Sequence, residues 1–589
     1  MRMMKKLLTL TIASSLLFSS CEDMFEPALE NNLEIETANS RPLYAQGLLL
    51  NGYNRIPSNS YSFDDVATDN AVSNDKNNTF LKTATGQWTS INNPFDQWRN
   101  SYSAIQYLNN FLSLTDQVEW AMEPKVSALF NDRMKGEAYG LRALFMFHLL
   151  QAHAGKSGTG EILGVPIHLT PETVNSDFNQ PRASFEACMQ QLYDDISKAE
   201  DLLPMDYENI ASDSQVPVKY AGTVNANDYN RVFGSTFKLR MTKRIAQAIR
   251  ARAALLAASP AYSEGSKTTW EQAAIYAGQV IQAKGGVSGI DPKGFTWYNK
   301  EVVDGLTSGS NPAEILWRTD KGNSNSMEQD HFPPTLFGRG RLNPTQNLVD
   351  AFPMENGYPI ADANSAYNKA NPYDKRDPRL KTYIIVNGAT AGVSNSAINT
   401  TANSPTNDGL NKVETSTRTG YYLKKLLRQD VNLNPSSSTQ QMHFNARIRM
   451  TEMYLAYAEA ANEAWGPTGM GTFTFSAYDI IKAIRRRAGV GTNNGDPYLE
   501  QVKNNKDQMR QLIRNERRLE LCFEGFRFWD LRRWKMDINV AAKGMSINNN
   551  SYTEIPVENR LYENYMNYGP IPYSEVLKYS NLVQNIGWN

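Results

Sequence analysis

The chain has 589 residues, with 60 Lys plus Arg against 61 Asp plus Glu and a formal net charge of −1. That balance excludes the global basic field that draws a protein onto a polyanion, so no nucleic-acid partner is expected. Aromatic residues make up 11% of the chain, with 29 Tyr and 10 Trp, which suits neutral polar ligands, and the length allows several domains or one large helical assembly.

Met1 to Lys6 carries Arg2, Lys5 and Lys6, Leu7 to Phe18 is apolar or small, and Ser19, Ser20 and Cys21 follow. This is the order of a secretion signal. The apolar run falls short of the ~20 residues that a spanning helix needs, so residues 1–20 read as a removable signal peptide. Cys21 sits where a bacterial lipoprotein signal places its acylated cysteine, although Phe18 stands where that pattern usually has Leu. The other two cysteines, Cys188 and Cys522, fall in apolar helical patterns as small buried hydrophobes. Cys21 is therefore expected to be the lipidation site, with ordinary signal cleavage beside an incidental cysteine as the alternative; stable anchoring takes more than one acyl chain at ~0.8 kcal/mol per buried methylene. Residues 21–45 are acidic, poor in aromatics and broken by Pro27, the composition of a flexible tether.

Helical periodicity begins further on. Trp98, Tyr102, Ile105, Leu108 and Phe111 recur at steps of three and four, and Ala138, Leu141, Leu144, Phe145 and Leu149 do the same. These two segments predict an antiparallel helix pair. A second set runs from Ser184 to Pro204 and from Lys243 to Pro260, followed by Thr269 to Gly286; a third runs from Arg449 to Gly466 and from Ser476 to Val490. Alanines 458, 460, 461 and 464 let neighbouring helices approach closely. Helix hairpins with small and aromatic residues at repeated offsets resemble tetratricopeptide (TPR) repeats, here irregular because insertions near 113–130 and 205–238 split them. The fold class is mainly α: a TPR-like helical superhelix with an irregular, loop-rich ligand-binding region and a few short strands. Residues 46–285 form the N-terminal helical part and 286–589 the C-terminal part, together one compact unit.

The middle, about 286–445, is rich in Gly, Pro, Asn and Ser with short strand-like runs. Residues 387–409 are low in apolar content and predict an exposed, mobile loop. Structureless stretches of this length in a compact protein are usually functional.

No catalytic motif is present: no Gly-x-Ser-x-Gly elbow, no phosphate-cradling glycine loop, no His-Glu-x-x-His helix. The histidines at 148, 153, 168, 331 and 443 do not have metal-ligand spacing, and His148 reads as a packed, satisfied residue. Asp64–Asp65 and Asp194–Asp195 are sequence neighbours and do not face each other as a hydrolytic acid pair would; Asp194 and Asp195 predict a solvated face. Residues 63–75 are rich in oxygen ligands but lack the EF-hand order and its glycine. Neither a metal nor a cofactor is expected, and the protein is not expected to be an enzyme.

Arg514 to Trp534, RNERRLELCFEGFRFWDLRRW, mixes arginines with aromatics. As a helix it places Leu512, Leu519, Phe523 and Phe526 on one face, and Arg517, Glu520, Glu524 and Arg527 alternate in sign at steps of three and four. Exposed pairs at these steps add only ~0.2–0.5 kcal/mol each, and guanidinium groups stack on rings. Arg527, Arg532 and Arg533 are expected on Trp529, Trp534 and nearby carboxylates. The stretch reads as an internal brace.

The same stretch resembles the C-terminal signature of the SusD-like (RagB/SusD) outer-membrane nutrient-binding lipoproteins. Other blocks agree in order: GEAYGLRALFMFHLL followed by GVPI, RLNPTQNLVDAFPMENGYPI, YDKRDPRLKTYII, TEMYLAYAEAANEAWG, AIRRRAGV and YGPIPYSEVLKYSNLVQNIGWN. The resemblance implies a lipid-anchored protein on the outer face of the outer membrane, with Glu22 and Asp23 similar to the family's surface-export signal. It implies a SusC-like TonB-dependent β-barrel as partner, capture of an oligosaccharide, and delivery for import. A peptide ligand, as in RagB-type members, is the alternative; a surface glycoside hydrolase and a pure TPR scaffold rank below both. Family members build the ligand site from the loop before the first TPR-like helix and from the irregular middle. In those places, Trp88, Trp297 and Tyr298 offer rings to sugar C–H faces, and Asp69, Asn70, Asn92 and Arg339 offer hydroxyl partners. These seven are the expected ligand-binding residues.

Overall fold

The computed structural model describes residues 41–57, 63–307 and 309–588. Cys21, the signal segment and the tether up to residue 40 lie outside the described residues. The expected tether's last residues, 42–45, belong instead to the first helix, α1 (Pro42–Asn54), because Ala45, Leu48 and Leu49 bury one side of it.

The helices expected from periodicity all form. They are α2 (Trp98–Leu114), α3 (Pro124–His153), α4 (Phe185–Leu202), α5 (Lys243–Ala258), α6 (Trp270–Gln282), α7 (Met450–Trp465) and α8 (Ala477–Arg487). Their starts are set by side chains that satisfy free backbone donors: Ser184 Oγ accepts from Ala187 N at 3.1 Å, and Thr269 with Gln272, like Ser476 with Asp479, closes a reciprocal capping box. Each helix packs on the next, α1 through α7 in order, with α8 and α9 (Lys506–Glu520) both against α7. This is the TPR-like superhelical succession. Ala458, Ala460 and Ala461 are fully buried along α7.

Between α6 and α7 the chain builds the irregular middle. Two-stranded ladders hold it together, such as Ile315–Arg318 with Ala446–Arg449. One of them joins distant segments: β1 (Ala71–Ser73) runs antiparallel to β2 (Leu342–Pro344), pairing Ala71 with Pro344 and Ser73 with Leu342. A hydrophobic core centred on the helices extends from Ala45 to Leu582. A second core under the middle brings Val66, Trp297, Leu348 and Tyr383 together with Phe523 and Met545.

Three expectations need correction. Residues 387–409 are only in part an exposed loop: positions 393–395 and several between 402 and 407 are exposed, but the segment is anchored. They make a hairpin, Thr390–Ala391 with Ser396–Ala397, and bury Ala391 and Ile398 against Ile385 and Tyr422. Hydrogen bonds compensate for their low apolar content: Asp408 accepts from Thr335 N at 2.8 Å and from Thr406 Oγ1 at 2.9 Å. The stretch 514–534 is not one helix either. α9 ends at Glu520, and α10 (Arg527–Arg533) starts after a turn in which Phe523 and Gly525 take φ of 64° and 77°. Finally, Asp195 is not solvated: it is buried in a bidentate pair with Arg142, at 2.7 and 2.8 Å.

Candidate functional site

The β1–β2 ladder brings the segment before the first TPR-like helix pair against the irregular middle. After β1, Asn74 donates to the carbonyls of Arg339 and Ser416, at 3.0 and 3.2 Å. Asn78 then caps a short helix, Thr79–Lys82, accepting from Phe80 N and Leu81 N at 3.0 Å each, which sets Phe80 at the lip. Facing it, residues 332–341 are zippered onto the helix Ser326–His331: Arg339 N donates to Gln329 O at 2.9 Å and Arg341 N to Asp330 O at 2.8 Å. Gly338 permits this turn, since a Cβ there would lie 2.1 Å from the Phe332 carbonyl oxygen.

The result is a cleft of about 490 Å3 between Phe63, Asp75, Asn78 and Phe80 on one side and Met327, Asp330, His331, Arg339 and Arg341 on the other. A second hollow of about 530 Å3 adjoins it across Arg339, walled by Phe337, Leu433, Pro435 and Ser438. Arg339 is exposed and pairs with Asp330 at 3.0 Å. Phe337 is 56% exposed and sits in the left-handed backbone region, φ 63°. A bulky residue held there costs about 1–3 kcal/mol, and such strain concentrates at ligand clamps. At the cleft floor the ring of Phe63 meets that of His331 edge-on, 4.2 Å between centroids. Burial, with Arg341 nearby, pushes the His331 imidazole down to about 3, so it is neutral near pH 7. An exposed ring flanked by a guanidinium and a carboxylate can cover a sugar's C–H face and bond its hydroxyls.

Of the seven expected residues, only Arg339 lines the cleft. Asp69 is buried between Arg527 and Arg518, each at 2.9 Å; burial alone would raise its carboxyl, but the two guanidinium groups hold it well below the usual carboxylate range. Asn70, also buried, donates to Asp65 Oδ1 and accepts from Arg518 Nε, both at 2.8 Å. Trp88 is 2% exposed. Its Nε1 donates to Asn93 Oδ1 at 3.0 Å, and its ring packs among Phe95, Phe528, Tyr562 and Trp588. Trp297 and Tyr298 are buried in the core under the middle. Asn92 is exposed but bonds Gln87 O at 3.1 Å in its own turn, away from the cleft. None of these five buried residues lines the cleft; Trp297 instead lines a hollow behind it, together with Phe80 and Phe95.

Phe337, Phe80, Asp330 and Asp75 escape the sequence reading. The only available signal for Phe337 was its place beside Arg339 in LFGRG, between a proline pair and two glycines.

Residues 313–588 match a family model described as the SusD family, and residues 33–221 match one described as starch-binding, associating with outer membrane. Among solved structures, the chain is similar to a SusD-like protein from Bacteroides fragilis, at 21% identity and a TM-score of 0.69, covering 93% of this chain and 98% of that one. It is also similar to a SusD-like carbohydrate binding protein from the same species, at 20% identity and a TM-score of 0.67, covering 92% and 99%. A SusD-like protein of Formosa agariphila is 32% identical over 111 residues, 19% of this chain and 20% of that protein. Among the described residues no helix is long and apolar enough to cross a membrane.

Proposed function

Because the chain belongs to the SusD-like family, we propose that it is a cell-surface glycan-binding lipoprotein that captures an oligosaccharide and delivers it to a SusC-like TonB-dependent transporter in the outer membrane. One observation carries the ligand class: the strained, exposed Phe337 lines a hollow with Arg339, and Arg339, paired with Asp330, also lines the cleft where the segment 63–80 meets the middle. Two likenesses support it: a similar structure is that of a carbohydrate binding protein, and the N-terminal part matches a family described as starch-binding and associating with outer membrane. Acylation of Cys21 supplies the tether, and the barrel supplies the route inward.

Affinity electrophoresis through gels containing starch, xylan, galactan or mannan tests the ligand. The wild type is retarded by at least one of them, and the double variant Phe337→Ala, Arg339→Ala loses retardation at least tenfold with an unchanged melting temperature. Peptides co-purifying with a protein that no glycan retards would move the ligand to the peptide class. Cys21→Ala releases the protein from the membrane fraction, and pull-down of the acylated form from gently solubilised membranes recovers a large β-barrel.

A further inference from the structure

The hollow behind the cleft is open, and Phe80 belongs to the wall of both. Its other walls come from distant segments: α3 with His148 and Gln151, α10 with Trp529, and the strand Ala446–Arg449 with Arg447 and Arg449. His148 and Gln151 are three residues apart and so share one face of α3. His148, expected to be a satisfied core residue, is half-buried here, as is Gln151, and neither side chain has a hydrogen bond among the described residues. Burial and the Arg252 charge push the His148 imidazole down to about 3, so it is neutral near pH 7.

Five arginines line the hollow, and four of them are matched by a carboxylate. Arg252 Nε bonds Glu452 at 2.5 Å, Arg449 Nε meets Glu524 at 2.8 Å, Arg517 Nε meets Asp530 at 2.7 Å, and Arg533 Nη1 meets Glu459 at 2.6 Å. Arg447 is the exception. It is half-buried and forms no ion pair and no side-chain hydrogen bond among the described residues; its guanidinium rests on the Trp317 ring, 4.8 Å from the centroid, and its Nε is buried without a partner. Burial pulls this guanidinium down from its ordinary value with no carboxylate to offset it, yet arginine stays charged. A ring face compensates a cation only in part, and charges taken out of water are ordinarily paired. The wall carboxylates do not supply the missing charge. Glu452, Glu524 and Asp530 are each held by another arginine, and burial with the adjacent Asp65 pushes the Asp64 carboxyl well above the usual range, which favours its neutral form.

The hollow is therefore one positive charge short of balance, on its open side. We propose that it receives an anionic substituent of the bound glycan, a uronic acid carboxylate or a sulfate ester, with the Arg447 guanidinium as its counter-ion. The planar fork of a guanidinium matches the paired oxygens of either group, while the Gln151 amide and the neutral His148 ring offer uncharged partners to the neighbouring hydroxyls. A chain that leaves the cleft over Phe80 carries its substituents into the hollow, so the cleft holds the chain and Arg447 selects among chains. The proposal rests on the glycan reading of the cleft and adds that, of two chains with one backbone, the acidic one is preferred.

Isothermal titration of the soluble mature chain with matched pairs of polysaccharides tests it: glucuronoxylan against its carboxyl-reduced form for the carboxylate, and carrageenan against its desulfated galactan for the sulfate ester. The wild type binds the acidic member of at least one pair tenfold or more tightly than the neutral member, and the difference shrinks as salt is raised, because a half-buried pair is still screened. Arg447→Gln binds the two members of that pair equally, within twofold, at the wild-type melting temperature. Arg447→Lys serves if the glutamine variant fails to fold; it keeps the charge without the fork and lowers the preference several-fold. An acidic preference that a folded Arg447 variant keeps in full overturns the site. So does a wild type with no acidic preference in either pair, whether it binds both members or neither; the glycan reading then stands if starch, xylan, galactan or mannan retards the protein, and falls as well if none does.

Discussion

Trp88 and Phe337 are rings in loops of similar composition, and they do opposite work. Trp88 is enclosed by four other aromatic rings and donates its indole N–H inward, whereas Phe337 is turned outward by a left-handed backbone. Truncating a large buried aromatic typically costs about 3–5 kcal/mol. Trp88→Ala is expected to lower stability by that amount in urea unfolding, while the fraction that remains folded keeps wild-type glycan retardation. Reduced retardation with unchanged stability would return Trp88 to the binding surface. This difference was not legible in the sequence. A Trp followed by polar loop residues looks the same whether its partners lie in solvent or 440 and 500 residues away at Phe528 and Trp588, and φ at position 337 leaves no mark in the residue types.

At the scale of elements, periodic helices were legible because their signal is local: the apolar steps in α2 through α8 depend only on residues within one or two turns. The α9–α10 signature was legible as a brace but not in its geometry. Its ions do not alternate along one exposed helix; they reach across the break and into other elements. Arg517 spans the turn to Asp530 at 2.7 Å. Arg533 takes both oxygens of Glu459 on α7 at 2.6 Å, where Trp534 Nε1 donates as well, also at 2.6 Å. Removing one partner of a buried pair strands the other charge, at about 3–5 kcal/mol. Glu459→Ala is expected to lose that much in urea unfolding, and the double change Glu459→Leu, Arg533→Met to recover most of it, since no buried charge is left alone. Glu520 at the end of α9 gives the pH signature. Burial would raise its carboxyl, but Arg487, Arg379 and Arg449 together hold it down, to about 2. A depressed carboxylate contributes its full stabilisation above its unfolded value near 4.5 and loses it as pH falls toward the folded one. The destabilisation caused by Glu520→Gln at pH 7 should therefore shrink steadily between about pH 4.5 and pH 2. A penalty that stays constant to pH 2 would mean the carboxylate charge contributes nothing.

At the scale of the molecule, a division at residue 285 marks where the chain changes character and not where its packing ends. α6 closes the N-terminal part, yet Ala273, Ala274, Ala277 and Ile281 on it are buried, and the helix lies against α7 after 167 intervening residues. The chain's last segment returns to its first. Arg560 donates to the carbonyls of Thr68 and Ala71 at 2.6 and 2.7 Å, Tyr562 Oη to Ala67 O at 2.6 Å, and Asn585 Nδ2 to His153 O at 2.9 Å. Trp588 is buried under the same aromatic cluster as Trp88. Such contacts join residues hundreds of positions apart, so periodicity carried no trace of them. Contacts that tie both ends of the chain and both cores together couple the unfolding of one part to the other. Calorimetry of the mature chain is expected to give one transition, and a fragment ending at residue 285, its α6 face stripped of α7, is expected to be degraded by protease at concentrations that leave the full chain intact. Two resolved transitions, or a protease-resistant fragment with the full chain's helical signal, would instead make the helical N-terminal part a domain in its own right.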